Sequence, residues 1–158
     1  MVYTTDDVSL ENIKYFKHWD MAKERNPSLE VIAFIIAEDM DMEVLKKFLK
    51  ERPWVIPAVH CWDHKELQEG WREDQERYIR MAKDKLIDVL PERPLYRFPG
   101  FRTLPKSESI LKKLDFKGIA HQGFIKWFDT GKLEQTYDTH CCDKFINPVT
   151  KVCQNIRL

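Results

Sequence analysis

The sequence predicts an α/β fold in the form of a distorted or incomplete (β/α) barrel, and three observations carry that expectation. Short apolar segments rich in β-branched residues alternate with longer segments whose apolar residues recur at helical spacing, the order that builds parallel sheets from strand–helix units. One of the short segments, Val31 to Ala37, is apolar without interruption, as a strand buried on both faces requires. Most of these segments run into polar residues with chemistry to offer: Asp6-Asp7, His60 with His64, Arg97, His121 and His140. Parallel barrels collect their chemistry at the carboxyl ends of strands, so these positions form the candidate site.

Taken in order, Val2-Tyr3-Thr4-Thr5 is a β-branched and aromatic strand that Asp6-Asp7 is expected to end. One Asp there would suit the start of a helix. Two adjacent carboxylates repel each other unless a cation or a basic group holds them. From about Leu10 to Arg25, Ile13, Phe16, Trp19 and Ala22 recur at helical spacing, and Asn26-Pro27 stops the run. After the Val31–Ala37 strand, Val44, Leu45, Phe48 and Leu49 mark a second helix. Trp54 to Val59 is a further buried strand, in which Pro57 suits an edge or a bulge.

That strand delivers His60-Cys61-Trp62-Asp63-His64. Two imidazoles four residues apart, on a turn or the first turn of a helix, point the same way and can offer two ligands to one divalent metal. A zincin helix carries Glu directly after its first His; Cys61 stands there, which disfavours a metalloprotease. A charged helix is predicted from Leu67 to Leu90, closed by Pro91. Pro94 to Arg102 reads as a short strand that breaks at Pro99-Gly100, and the fork of Arg97 at the break suits a carboxylate such as Asp6 or Asp7. A helix over Ser107 to Leu114, a strand over Lys117 to Ala120 ending at His121, the segment Phe124 to Phe128, and a last strand over Gln135 to Thr139 delivering His140 complete the pattern.

Composition sets the outer limits. A chain of 158 residues with 43% hydrophobic and 12% aromatic content fits a single domain, residues 1–158, with a real core. Its 26 basic and 26 acidic residues balance, so no net field favours nucleic acid or an anionic membrane. No apolar run approaches the ~20 residues that span a bilayer, and the N-terminus lacks the basic-then-apolar layout of a signal peptide, so the expected location is the cytoplasm. Cys61, Cys141, Cys142 and Cys153 have no CxxC spacing and are expected as free thiols.

Three segments together resemble the polysaccharide deacetylase family. Thr4-Thr5-Asp6-Asp7-Val8-Ser9 looks like its aspartate-pair motif, His60 to His64 like its His-x-x-x-His motif, and Arg97-Phe98-Pro99-Gly100 like its Arg-x-Pro motif. They follow the family's order, each after a predicted strand. The resemblance implies a distorted β/α barrel, one divalent metal ion, zinc first with cobalt, iron, manganese or nickel as alternatives, and removal of N-acetyl or O-acetyl groups from a carbohydrate.

Carried over by position, the resemblance makes Asp7, His60 and His64 the metal ligands, Asp6 the general base and Arg97 the residue that orients it, with Pro99-Gly100 bordering the acetyl pocket. Two imidazoles and one carboxylate would leave an open coordination position. The family's late histidine is the acid for the leaving amine, and His140 is the candidate ahead of His121. The chain departs from the family in three places: Cys61 replaces the usual Ser or Thr, His140 follows Tyr137-Asp138-Thr139 in place of an aliphatic strand, and the aspartate-plus-tryptophan motif is not recognisable around Trp127 and Asp129. Trp127 is a candidate for a sugar face. The alternative is a catalytically weak or inactive metal-containing carbohydrate-binding module on the same fold, against which Asp6 argues, because a purely structural metal needs no base. A structural zinc on His140, Cys141 and Cys142 is weaker still, since adjacent cysteines seldom both reach one tetrahedral ion. The expected partner is an acetylated sugar, with neither nucleic acid nor membrane; the sequence leaves the oligomeric state open.

Overall fold

A computed structural model describes residues 2–64 and 74–140. Seven strands close into one barrel: β1 (Val2–Val8), β2 (Val31–Ile36), β3 (Val55–Cys61), β4 (Leu95–Tyr96), β5 (Gly118–His121), β6 (Phe124–Trp127) and β7 (Leu133–His140). The neighbours from β1 through β5 are parallel, β6 is antiparallel to both β5 and β7, and β7 closes parallel onto β1. The barrel is therefore closed but mixed. Its distortion comes from the hairpin β5-β6, whose short turn leaves no room for a crossover helix and so forces the antiparallel arrangement.

Among the described residues, four helices cover the outside: α1 (Lys17–Arg25), α2 (Met42–Glu51), α3 (Gln75–Leu86) and α4 (Ser107–Lys113). The sequence expectation of one helix from Leu10 to Arg25 is shortened, because Ile13–Phe16 forms a 3-10 turn before α1 begins. In α2 the side chain of Asp41 accepts hydrogen bonds from the Glu43 and Val44 amides, satisfying donors that the first helical turn leaves unpaired. The predicted start of the third helix, with Leu67 and Trp71, lies outside the described residues.

Period-two alternation divides the core into two layers. From β2, Val31, Ala33 and Ile35 join Phe16, Trp19, Leu45, Phe48, Ile79 and Leu86 between strands and helices. Ile32 and Phe34 face inward and pack with Ala58, Leu95, Ala120 and Ile125 in the barrel interior. Burial on both faces explains the unbroken apolar run of β2. Pro57 is tolerated because β4 meets β3 only at Val59, so no neighbour on that side requires the amide that proline lacks.

Candidate functional site

Two bulges at the carboxyl ends of β1 and β3 build the site. Along the β1–β2 ladder, Thr5 lies opposite Ala33 and Val8 opposite Ile35, so β1 gains one residue at Asp6-Asp7. Along β2–β3, Ile35 lies opposite Val59 and Ile36 opposite Cys61, so the residue gained in β3 is His60. A bulge re-aims the side chains it carries. The expectation that Asp6-Asp7 ends the first strand is thereby corrected: β1 runs through both to Val8, with Asp6 paired to His140 on β7 and Asp7 turned out of the ladder at a φ of 55°. His64, beyond the end of β3, also takes a positive φ, 50°. Such backbone is uncommon for residues other than glycine, and Asp and His are among those that adopt it most readily.

The result is a convergence of three side chains. His60 Nε2 lies 3.2 Å and His64 Nε2 3.0 Å from the same Asp7 oxygen, Oδ1, and one ligand atom from each of the three residues falls within 4.8 Å of the others. His60 is buried, whereas 31% of the His64 side chain is exposed, so the cluster opens on the His64 side.

The tautomer of His60 tests whether this set suits a metal ion. His60 Nδ1 donates to the Arg97 backbone carbonyl at 2.9 Å, because a carbonyl can only accept. In the neutral ring Nε2 then carries a lone pair, and it faces a carboxylate oxygen. Two acceptors at that separation need a proton or a cation between them. A second ring nitrogen fixed by a backbone carbonyl is the usual support of a metal-binding histidine. Nearby, Asp6 and Asp138 face the single guanidinium of Arg97, and the Asp7 carboxylate between the two histidines adds a third negative charge, an excess that a divalent ion would offset. The donor set fits a divalent metal. Without a cation, the His64 pKa is raised above its ordinary value, first by the hydrogen bond with Asp7 and further by the Asp7 charge, against the opposing effect of burial.

Asp6 and Arg97 are both buried, and Arg97 NH1 lies 3.5 Å from Asp6 Oδ2. The guanidinium stands 4.2 Å above the ring of Phe34, an arrangement that favours a desolvated cation. Its shorter ion pair, 2.8 Å from NH2, is with Asp138, a residue that the sequence reading did not select. The signal for it was a carboxylate in register with Thr136 on one face of a strand.

His121 ends β5, stacks on Phe124 and lines a cavity of about 370 Å³ with Thr103, Leu104, Ser107 and Glu108. Burial, then the Lys126 charge, lowers its pKa. The backbone of His140 lies opposite Asp6 at the end of β7. The role expected of the His140 side chain, like the Cys141-Cys142 alternative, lies outside the described residues. Cys61 is buried and, among the described residues, forms no disulfide, as expected. Trp127 is not near the site: paired with Gly118, the first residue of β5, it sits at the opposite mouth of the barrel, where it lines a cavity of about 380 Å³ with Val2, Ile32, Ile56 and Leu95. Asp129 is taken up by Arg93.

No protein-family model matches the sequence, and no curated protein does either. Solved structures do match. The peptidoglycan deacetylase PdaC from Bacillus subtilis superposes with a TM-score of 0.65 at 15% identity, covering 98% of this chain and 81% of that one. A family 4 carbohydrate esterase from Streptomyces lividans, solved with acetate, gives 0.66 at 13% identity over 96% and 83%. A pseudoenzyme of the same esterase family from Bacillus anthracis gives 0.68 at 8% identity over 98% and 60%. Likeness at these identities speaks for the fold, and the seven-stranded mixed barrel of this chain is the fold of the polysaccharide deacetylases, the family 4 carbohydrate esterases.

Proposed function

We propose that this protein is a metal-dependent hydrolase that removes acetyl groups, N-linked or O-linked, from a carbohydrate. The observation that carries the reading is the meeting of Asp7, His60 and His64, from sequence positions far apart, with buried Asp6 and Arg97 beside them. The same fold houses a pseudoenzyme, so the fold alone does not decide activity, and Asp6 is what distinguishes a hydrolytic site from a structural one.

Asp7, His60 and His64 would hold the ion. A divalent ion bound there would act as a Lewis acid and lower the pKa of water. Asp6, kept in place by Arg97, would take the proton from the water that attacks the acetyl carbonyl carbon. The tetrahedral oxyanion that forms needs donors, and a backbone amide at the Pro99-Gly100 turn would supply one. Breakage of the C–N or C–O bond then needs a proton on the leaving atom, which His140, at the end of the strand beside Asp6, would give. Acetate and a free amine or hydroxyl would leave.

Metal content and acetate release from N-acetylated and O-acetylated sugars, measured together, test this reading. Wild type is expected to carry about one divalent ion per chain, and Asp7→Ala and His60→Ala to lose it. Asp6→Asn should keep the ion while kcat falls by roughly 10²–10⁴-fold. Full turnover in Asp6→Asn would remove the base. A retained ion with no turnover on any acetylated sugar would favour the carbohydrate-binding module.

A further inference from the structure

We propose that Asp138 is a positioning residue: it fixes the Arg97 guanidinium, and through it the Asp6 carboxylate, while a neutral side chain of the same shape would not. The proposal rests on the hydrolase reading for its catalytic consequence, but not for its structural content. Asp138 gathers donors from four parts of the barrel. Its Oδ1 accepts from Arg97 NH2 at 2.8 Å, from the Thr4 hydroxyl at 2.6 Å and from the Thr136 hydroxyl at 2.9 Å. Its Oδ2 accepts from the Gly123 amide at 2.5 Å. Thr4 Oγ1 in turn accepts from the same Arg97 nitrogen at 2.9 Å, closing a triangle of β1, β7 and the residue after β4.

The geometry ranks the two carboxylates that Arg97 touches. Asp138 holds the short ion pair, 2.8 Å, and Asp6 the long one, 3.5 Å. A planar guanidinium with one nitrogen fixed has little freedom left at the other, so the place at which NH1 meets Asp6 is set by Asp138. The backbone of Arg97 is tied as well, its amide to the Val59 carbonyl and its carbonyl to His60 Nδ1. One residue thus connects the base to a ligand histidine, and Asp138 is what anchors its charged end.

Two readouts on Asp138→Asn, which preserves shape and removes charge, test this. The first requires neither metal nor substrate: the guanidinium NH resonances of Arg97 should be resolved in wild type and averaged by rotation in the variant. The second is kinetic. Displacement of the base by about an ångström lowers kcat on the order of 10–100-fold, with KM and the bound ion per chain unchanged, and formate should restore part of the kcat lost in Asp138→Ala by supplying a carboxylate to the vacated space. Resolved Arg97 resonances in Asp138→Asn, or a kcat equal to wild type, would overturn the proposal. If wild type releases no acetate from any substrate, the hydrolase reading fails by itself, and the Arg97 resonances still decide the role of Asp138.

Discussion

Asp138 sets two opposing effects against each other. Burial resists its ionisation most strongly, but the Arg97 charge and the donors on Thr4, Gly123 and Thr136 outweigh it, and its pKa lies below the ordinary carboxylate value. A carboxylate whose pKa falls on folding stabilises the folded state above its unfolded pKa, and that contribution disappears as pH falls through the folded value. It should be complete above about pH 5 and lost progressively below about pH 4. Urea titrations should therefore find Asp138→Asn less stable than wild type by about 1–3 kcal/mol at pH 7, with the gap closing toward pH 3. A gap that stays constant with pH would show that charge is not what Asp138 contributes. The other site residues were legible because each follows an apolar segment that ends abruptly in polar residues. Asp138 was not, since a carboxylate inside an alternating strand looks like any outward-facing polar residue until the barrel closes around it.

Among the elements, the sequence located six of the seven strands, leaving Phe124 to Phe128, which forms β6, as a segment without an assigned structure, and it did not show the bulges in β1 and β3. A bulge leaves no mark in an apolar pattern; it is a mismatch between two strands, visible only once both are paired. β4 was overestimated for a related reason. Apolar residues Leu95, Tyr96 and Phe98 surround Arg97, but only Leu95 and Tyr96 pair, and the chain then turns through Gly100 at a φ of 59°. Gly118, at the start of β5, shows how closely the parallel and antiparallel parts of the sheet meet. A Cβ there would stand 2.7 Å from the Lys126 carbonyl oxygen and 2.9 Å from a Leu95 methyl, and the backbone oxygen cannot move without disturbing the hairpin. Gly118→Ala is expected to cost about 1–3 kcal/mol, read as a lower midpoint of thermal unfolding with the metal content unchanged. An unaltered midpoint would mean that the β5–β6 pairing is looser than its register.

At the scale of the whole molecule, alternation of strand and helix predicted the barrel, and the three spaced motifs predicted its family resemblance. What alternation cannot express is the order of strands around the barrel, because β7 pairs with β1 through contacts between residues far apart in the sequence. Charge balance likewise says nothing of local field: a chain neutral as a whole brings Asp6 and Asp138 around one arginine. Among the described residues no helix is long and apolar enough to cross a membrane.

The seam between β1 and β7 joins residues up to 135 positions apart, as from Thr4 to Thr139. A chain emerging from the ribosome is accordingly inert until β7 is made, because the strand that completes the cylinder beside β1 is the last in sequence of the seven described. Maturation of the reactive groups and final closure should be a single event, with no half-built form that is chemically competent. A chain stopped at Lys132 should show neither the near-UV dichroism of fixed aromatic side chains nor any acetate release, and a truncated form that kept both would separate closure from competence.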